Sequence, residues 1–183
     1  MTRDEALSLL HEFTQSDSLR KHAYAVEAAM RAYARKFGED ELYWGNVGLL
    51  HDFDWEIHPT LPDHPTKGAA ILRERGVPEQ MIQDILAHAP FTGVPRDSNL
   101  RKALFAVDEL TGFVIACALV RPSRSLADLE AKSVRKKMKE KSFAAAVSRE
   151  DIQQGASELG VDLSEHIQFV IEALRPIGPQ LGL

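Results

Sequence analysis

The chain has 183 residues, 44% apolar and 27% charged, an ordinary balance for a globular protein long enough to bury a core without staples. Its net charge of −5 argues against wholesale nucleic-acid binding, and a single cysteine, Cys117, excludes an internal disulfide framework and fits a reducing compartment. Met1 to Glu5 contains no apolar signal region, and the longest uncharged run, Leu110 to Val120, is too short to span a bilayer. The expectation is a cytoplasmic protein with no membrane partner.

Helical periodicity runs through nearly every long segment, and no stretch alternates as a strand does. Thr2 with Glu5 forms a capping-box pattern that opens a first helix to about Phe13. Ser16 or Asp17 starts a second, with Leu19, His22, Val26, Met30, Tyr33 and Phe37 on one stripe and Gly38 closing it. A third runs from about Asp40 to His51. Gly45, Gly48 and Asp52 share a face of it that lets a neighbouring backbone come close. Phe53 to Asp63 is a loop rich in Pro, Asp and His. Pro65 suits the first position of the next helix, with His64 as its N-cap.

Gly76 and Pro78 separate that helix from one carrying Met81, Ile85 and His88, and Pro90, Gly93 and Pro95 break the chain again. Leu100 to about Leu119 is apolar around most of its circumference and so central. Arg121-Pro122 ends it. Ser125 with Asp128 is a further capping-box pattern before a basic segment, Lys132 to Lys141. Ser148 with Asp151 and Asp162 with Glu165 mark two closing helices, and Pro176 and Pro179 terminate the fold. One all-α domain over residues 1–183 is expected.

His22, His51, Asp52 and Asp108 are the candidates for chemistry, against the alternative of a hydrogen-bonded core histidine at His22 and an arginine partner for Asp108. His22 and Asp108 fall on apolar stripes, and His51-Asp52 ends a buried helix. A carboxylate facing a core costs several kcal/mol unless it is paired or binds a metal. Three helices each place a polar group where packing wants none, and imidazole with carboxylate suits Zn, Fe, Mn or Co.

The order His22, His51-Asp52, Asp108 resembles the signature of the HD superfamily of metal-dependent phosphohydrolases, an all-α helical bundle. The resemblance covers about residues 18–120 and implies a metal-binding core there, with the basic and C-terminal helices of 121–183 packed on it. His64-Pro65-Thr66-Lys67-Gly68-Ala69 and Ile85-Leu86-Ala87-His88 are similar to the extra histidine segments of its binuclear members. The resemblance implies that His22, His51, Asp52 and Asp108 hold a first ion, with Asp52 bridging. His64 and His88 then hold a second or steer protons, so the catalytic set is Asp52, His64 and His88. One or two divalent ions are implied (Mn, Fe, Zn, Co or Ni, with Mg permitted). The chain departs from the pattern in having Phe53-Asp54-Trp55 after the pair, Ala89 after His88, and no Gly-Tyr-Pro element. Cleavage of cyclic-di-GMP is therefore not expected.

Lys67, with Arg121, Arg124, Lys132 and Lys136 from the basic region, are candidate contacts for substrate phosphate. Arg135 and Lys139 belong to the same run, which reads equally as a solvated helix face. Asp54 and Glu56 are candidates to orient water or act as base, with loop solvation the competing account. His58 is a candidate proton shuttle with a solvated loop histidine as the competing account, and His11 and His166 are structural. The expected activity is hydrolysis of a phosphomonoester or nucleotide by metal-activated water. Alternatives of the same scaffold are a di-iron oxygenase and a nucleotide sensor without turnover.

Overall fold

A computed structural model describes residues 1–183. Ten helices follow in order: α1 (Arg3–Phe13), α2 (Asp17–Phe37), α3 (Glu41–Leu50), α4 (Asp63–Glu74), α5 (Glu79–Leu86), α6 (Asn99–Leu119), α7 (Ala131–Met138), α8 (Arg149–Leu159), α9 (Leu163–Leu174) and α10 (Gly178–Leu181). Single 3-10 turns lie at Pro90–Thr92 and Arg175–Ile177, and there is no strand. The fold is an all-α bundle with one continuous cluster of buried apolar side chains, from Ala6 in α1 to Leu181 in α10. No helix is long and apolar enough to cross a membrane.

Local chemistry explains the helix limits. Thr2 and Glu5 form a reciprocal capping box at α1, and the Asp40 carboxylate accepts the Leu42 and Tyr43 amides at α3. Each such cap is worth about 1 kcal/mol. Gly38 closes α2 in the left-handed region at φ 72°. Within α4, His64 keeps extended angles (φ −79°, ψ 137°), so regular turns begin at Pro65 as its rigid ring favours. Ser148 and Asp162 cap α8 and α9.

Two expectations about boundaries fail. Ser125 and Asp128 do not cap the basic helix, which starts at Ala131 after an uncapped Glu130. Asp128 is occupied by Arg121 at 2.7 Å, and that ion pair holds the segment in a turn. Pro176 and Pro179 do not end the fold either: the first lies in a 3-10 turn and the second opens α10.

Helix α6 is the hub, packing on α2, α5, α7, α8 and α9. Two glycines let helix backbones come close together. A Cβ on Gly155 in α8 would lie 2.6 Å from the Ala106 Cα of α6. On Gly48 in α3 it would lie 3.1 Å from the Val26 carbonyl oxygen and 3.2 Å from the Glu27 nitrogen of α2. The bare Gly48 thus lets α3 settle on α2 and brings the end of α3 beside His22. On the far side of α2, the Tyr33 hydroxyl donates to Nδ1 of buried His166 at 2.6 Å, and Nε2 donates to the Ala106 carbonyl at 2.9 Å. His166 is a fully bonded core histidine, in keeping with a structural role.

Candidate metal centre

Five stretches of chain converge on one end of the bundle. His22 comes from the second turn of α2, and His51 and Asp52 from the end of α3. His64 precedes the regular part of α4, His88 follows α5, and Asp108 sits mid-way along α6. Their ligand atoms form two groups, His22–His51–Asp52–Asp108 and Asp52–His64–His88, with Asp52 common to both.

The separations have the scale of a coordination shell. In the first group His22 Nε2 lies 3.2 Å from His51 Nε2 and 3.1 Å from Asp108 Oδ1, and His51 Nε2 lies 3.3 Å from Asp108 Oδ1. Asp52 oxygens stand 3.5 Å from His51 Nε2 and 3.8 Å from His22 Nε2. In the second, His64 Nε2 is 3.2 Å from His88 Nε2 and 3.1 Å from Asp52 Oδ1, and His88 Nε2 is 3.5 Å from that oxygen. Ligands about 2.0–2.1 Å from a tetrahedral ion sit roughly 3.3–3.4 Å from one another. The observed spread brackets that value.

Ring orientation supports the same reading. The outward Nδ1 of His51 donates to the Gly48 carbonyl at 2.8 Å, and that of His88 to the Ile85 carbonyl at 2.6 Å. His64 Nδ1 donates to Asp54 Oδ1 at 2.8 Å. Each partner only accepts, so each Nδ1 carries a proton and each Nε2 is aimed at the centre. Outer partners of this kind fix metal-binding histidines in their tautomer.

Electrostatics in the metal-free chain show what an ion would replace. Burial pushes the His51 imidazole down, but the Asp52 and Asp108 charges outweigh it and hold it up at about 9. Burial opposes protonation of His64 too, yet its bonds to Asp52 and Asp54 raise it to about 9. At His88 burial, joined by the charges of His51 and His64, outweighs Asp52 and Asp108, and the imidazole is lowered. Asp52 and Asp108 resist the upward push of burial and stay below the usual carboxylate range, chiefly through His51. Two carboxylates thus face protons that a divalent cation can displace.

Asp54 is neither a water-orienting group nor a solvated loop residue. It is wholly buried, and its two oxygens accept from His64 Nδ1 and, at 3.0 Å, from the Gly68 amide. Glu56 is exposed and accepts the Gln15 and Ser16 amides, just ahead of α2, at 2.7 and 2.9 Å. His58 is half-buried and lies outside the pocket, and His11 bonds to the Tyr24 hydroxyl at 2.6 Å.

The centre opens into a pocket of about 310 Å³, walled also by Trp55, Glu109, Gly112 and Val147. Glu109 went unnoticed in the sequence. Its Oε2 accepts the Ser148 amide at 3.1 Å, and burial, then the Asp108 charge, pushes its carboxyl up to about 7.

None of the five basic residues expected to hold phosphate lines this pocket. Lys67 is exposed and bonds to Asp63 at 2.7 Å. Arg121 is turned to Asp128, and Arg124 is exposed on the turn that follows α6. Lys132 and Lys136 line a different groove with Arg135 and Lys139. Helix α7 does not reach over the centre because Val134 anchors it in the core and the Gln168 side chain of α9 holds its first amide at 3.2 Å.

The chain is an all-helical protein with a buried His/Asp cluster able to hold metal. No protein-family model, curated protein or solved structure matches it.

Proposed function

We propose that this protein is a metal-dependent phosphohydrolase of the HD type, acting on a small phosphomonoester or a nucleotide. The observation that carries the reading is Asp52: one carboxylate lies within coordinating reach of both histidine groups. That is the arrangement needed to hold two ions side by side. Two divalent ions against Asp52 and Asp108 leave a net charge of about +2, suited to a phosphate dianion. No Lys or Arg lines the pocket, so the ions themselves supply the attraction for phosphate.

When bound, a divalent ion lowers the pKa of water and polarises a phosphoryl oxygen. The chain's residues do the rest. His22, His51 and Asp108 would hold one ion, His64 and His88 a second, and Asp52 is within reach of both groups. Asp54 locks the His64 ring. Glu109 stands in the same pocket, outside both ligand groups, with Oε2 held by Ser148. Its carboxyl is placed to exchange a proton with a leaving group.

A second reading follows from the completeness of the two-ion ligand set, which equally suits a di-iron oxygenase. Protein purified anaerobically with iron, or loaded with Mn, is assayed over a panel of phosphomonoesters and nucleotides for phosphate release and oxygen uptake. Phosphate release independent of oxygen, lost together with bound metal in Asp52→Ala, is the expected result. Full turnover in metal-free Asp52→Ala would overturn the hydrolase reading. Oxygen uptake without phosphate release would establish the oxygenase, and a nucleotide recovered intact after long incubation would point to a sensor.

A further inference from the structure

Helix α7 carries a feature that the metal centre leaves unused. Lys132, Arg135, Lys136 and Lys139 recur at three- and four-residue steps, so all four project from one face, and all four are exposed. With Ser133 and Ser164 they line a groove of about 580 Å³ that contains no carboxylate. The ion pairs of this region are Arg121 with Asp128 and Lys137 with Glu140, which leaves the four groove cations in none. Arg135 bonds only to the Ser164 hydroxyl, at 2.7 Å.

Such an array opposes helix stability. Lys132 faces Arg135 and Lys136, and Lys139 faces the same two, and like charges at these spacings repel. A chain of net charge −5 has carboxylates to spare, yet none is placed here. The repulsion is relieved when an anion lies along the face.

We propose that this groove is a binding site for a soluble oligophosphate chain, separate from the metal centre. Its dimensions suit such a ligand: the four cations span about 10 Å of helix at 1.5 Å per residue, and the volume is that of a small-molecule site. The groove has no aromatic side chain on which a base could stack, so the phosphate chain is recognised and not a nucleobase or single-stranded nucleic acid. Nor does α7 present an exposed large apolar side chain for insertion among lipids, since Val134 is buried and Met138 is partly covered. The two pockets share no lining residue.

Isothermal titration of the full chain with inorganic tripolyphosphate tests the proposal. Two double variants each remove two positive charges: Lys132→Gln with Lys136→Gln in the groove, and Lys36→Gln with Lys141→Gln outside it. All four side chains are exposed, so circular dichroism is expected to match wild type. The groove variant is expected to weaken binding about ten-fold or more, the loss of two charge-assisted contacts. The control is expected to bind as wild type does, and orthophosphate to bind far more weakly than tripolyphosphate. ATP is expected to bind no more tightly than tripolyphosphate. No binding by wild type, equal loss in both variants, or tighter groove-dependent binding of a single-stranded oligonucleotide or of phosphatidylserine vesicles would each overturn it.

Discussion

Replacing Asp54 by alanine separates the support of the metal centre from its ligands. Asp54 touches no ion position, yet it is wholly buried and accepts from two buried donors, His64 Nδ1 at 2.8 Å and the Gly68 amide at 3.0 Å. A buried donor stripped of its acceptor costs about 1–3 kcal/mol. Two of them set a range of about 2–6 kcal/mol, with one water in the vacated space recovering part of it. A loss of about 3 kcal/mol corresponds to a fall of about 6–12 °C in the melting temperature of a chain this long. The free His64 ring also loses its fixed tautomer, and such losses weaken metal binding by about 10–100-fold. On the proposed two-ion reading that effect falls on the ion His64 and His88 would hold, while the one His22, His51 and Asp108 would hold should stay tight. Thermal melts of chelated protein report the first effect and calorimetric metal titration the second. Were Asp54→Ala to melt within about 1 °C of wild type and bind both ions with unchanged affinity, the supporting role assigned to this carboxylate would be wrong.

Four further outcomes follow from the same geometry. His51 and His64 are raised to about 9 in the metal-free fold, so their contribution to stability is complete below about pH 6.5 and is lost as pH rises from there through 9. The melting temperature of chelated protein should fall across that window. Metal binding at pH 7.5 displaces those protons, so roughly two should be released per chain, measured as a buffer-dependent heat; a buffer-independent heat would contradict the assignment. His51→Ala and Asp52→Ala should each lose metal and phosphatase turnover, with Asp52→Ala the more severe because it serves both groups. Gly68→Ala would place a Cβ 2.4 Å from the Asp54 carboxylate carbon, an overpacking of about 1–3 kcal/mol that a urea titration resolves.

Much of this was legible from residue order because helix signals are local. Thr2 with Glu5, Asp40, Gly38 and the His64-Pro65 junction act within a turn of chain, and each does what its type dictates. His22 and Asp108 stood out because they interrupt apolar stripes. Asp54 did not, since it lies in an aperiodic acidic segment where buried and solvated carboxylates look alike. Its burial depends on α4 folding back so that the Gly68 amide meets it. The one trace in the sequence is that glycine, whose missing side chain leaves room for the carboxylate. Glu109 lies about 100° around α6 from Asp108, off the stripe. It faces the pocket because Val147 and Ser148 close over it from a distant part of the chain. The capping pattern before the basic helix goes unused for a local reason: Asp128 is already taken by Arg121, seven residues earlier in the same turn segment.

The bare backbone at Gly48 reaches further than packing. His22 and His51 ride on different helices, and the gap between those helices is set where α3 rests on the Val26 carbonyl, with no methyl between them. The bite the two imidazoles could offer a cation therefore depends on a residue outside the cluster. A methyl there would meet the Met30 Cγ at 2.9 Å and the Val26 carbonyl oxygen at 3.1 Å, so the two helices, and with them the two rings, would have to move apart.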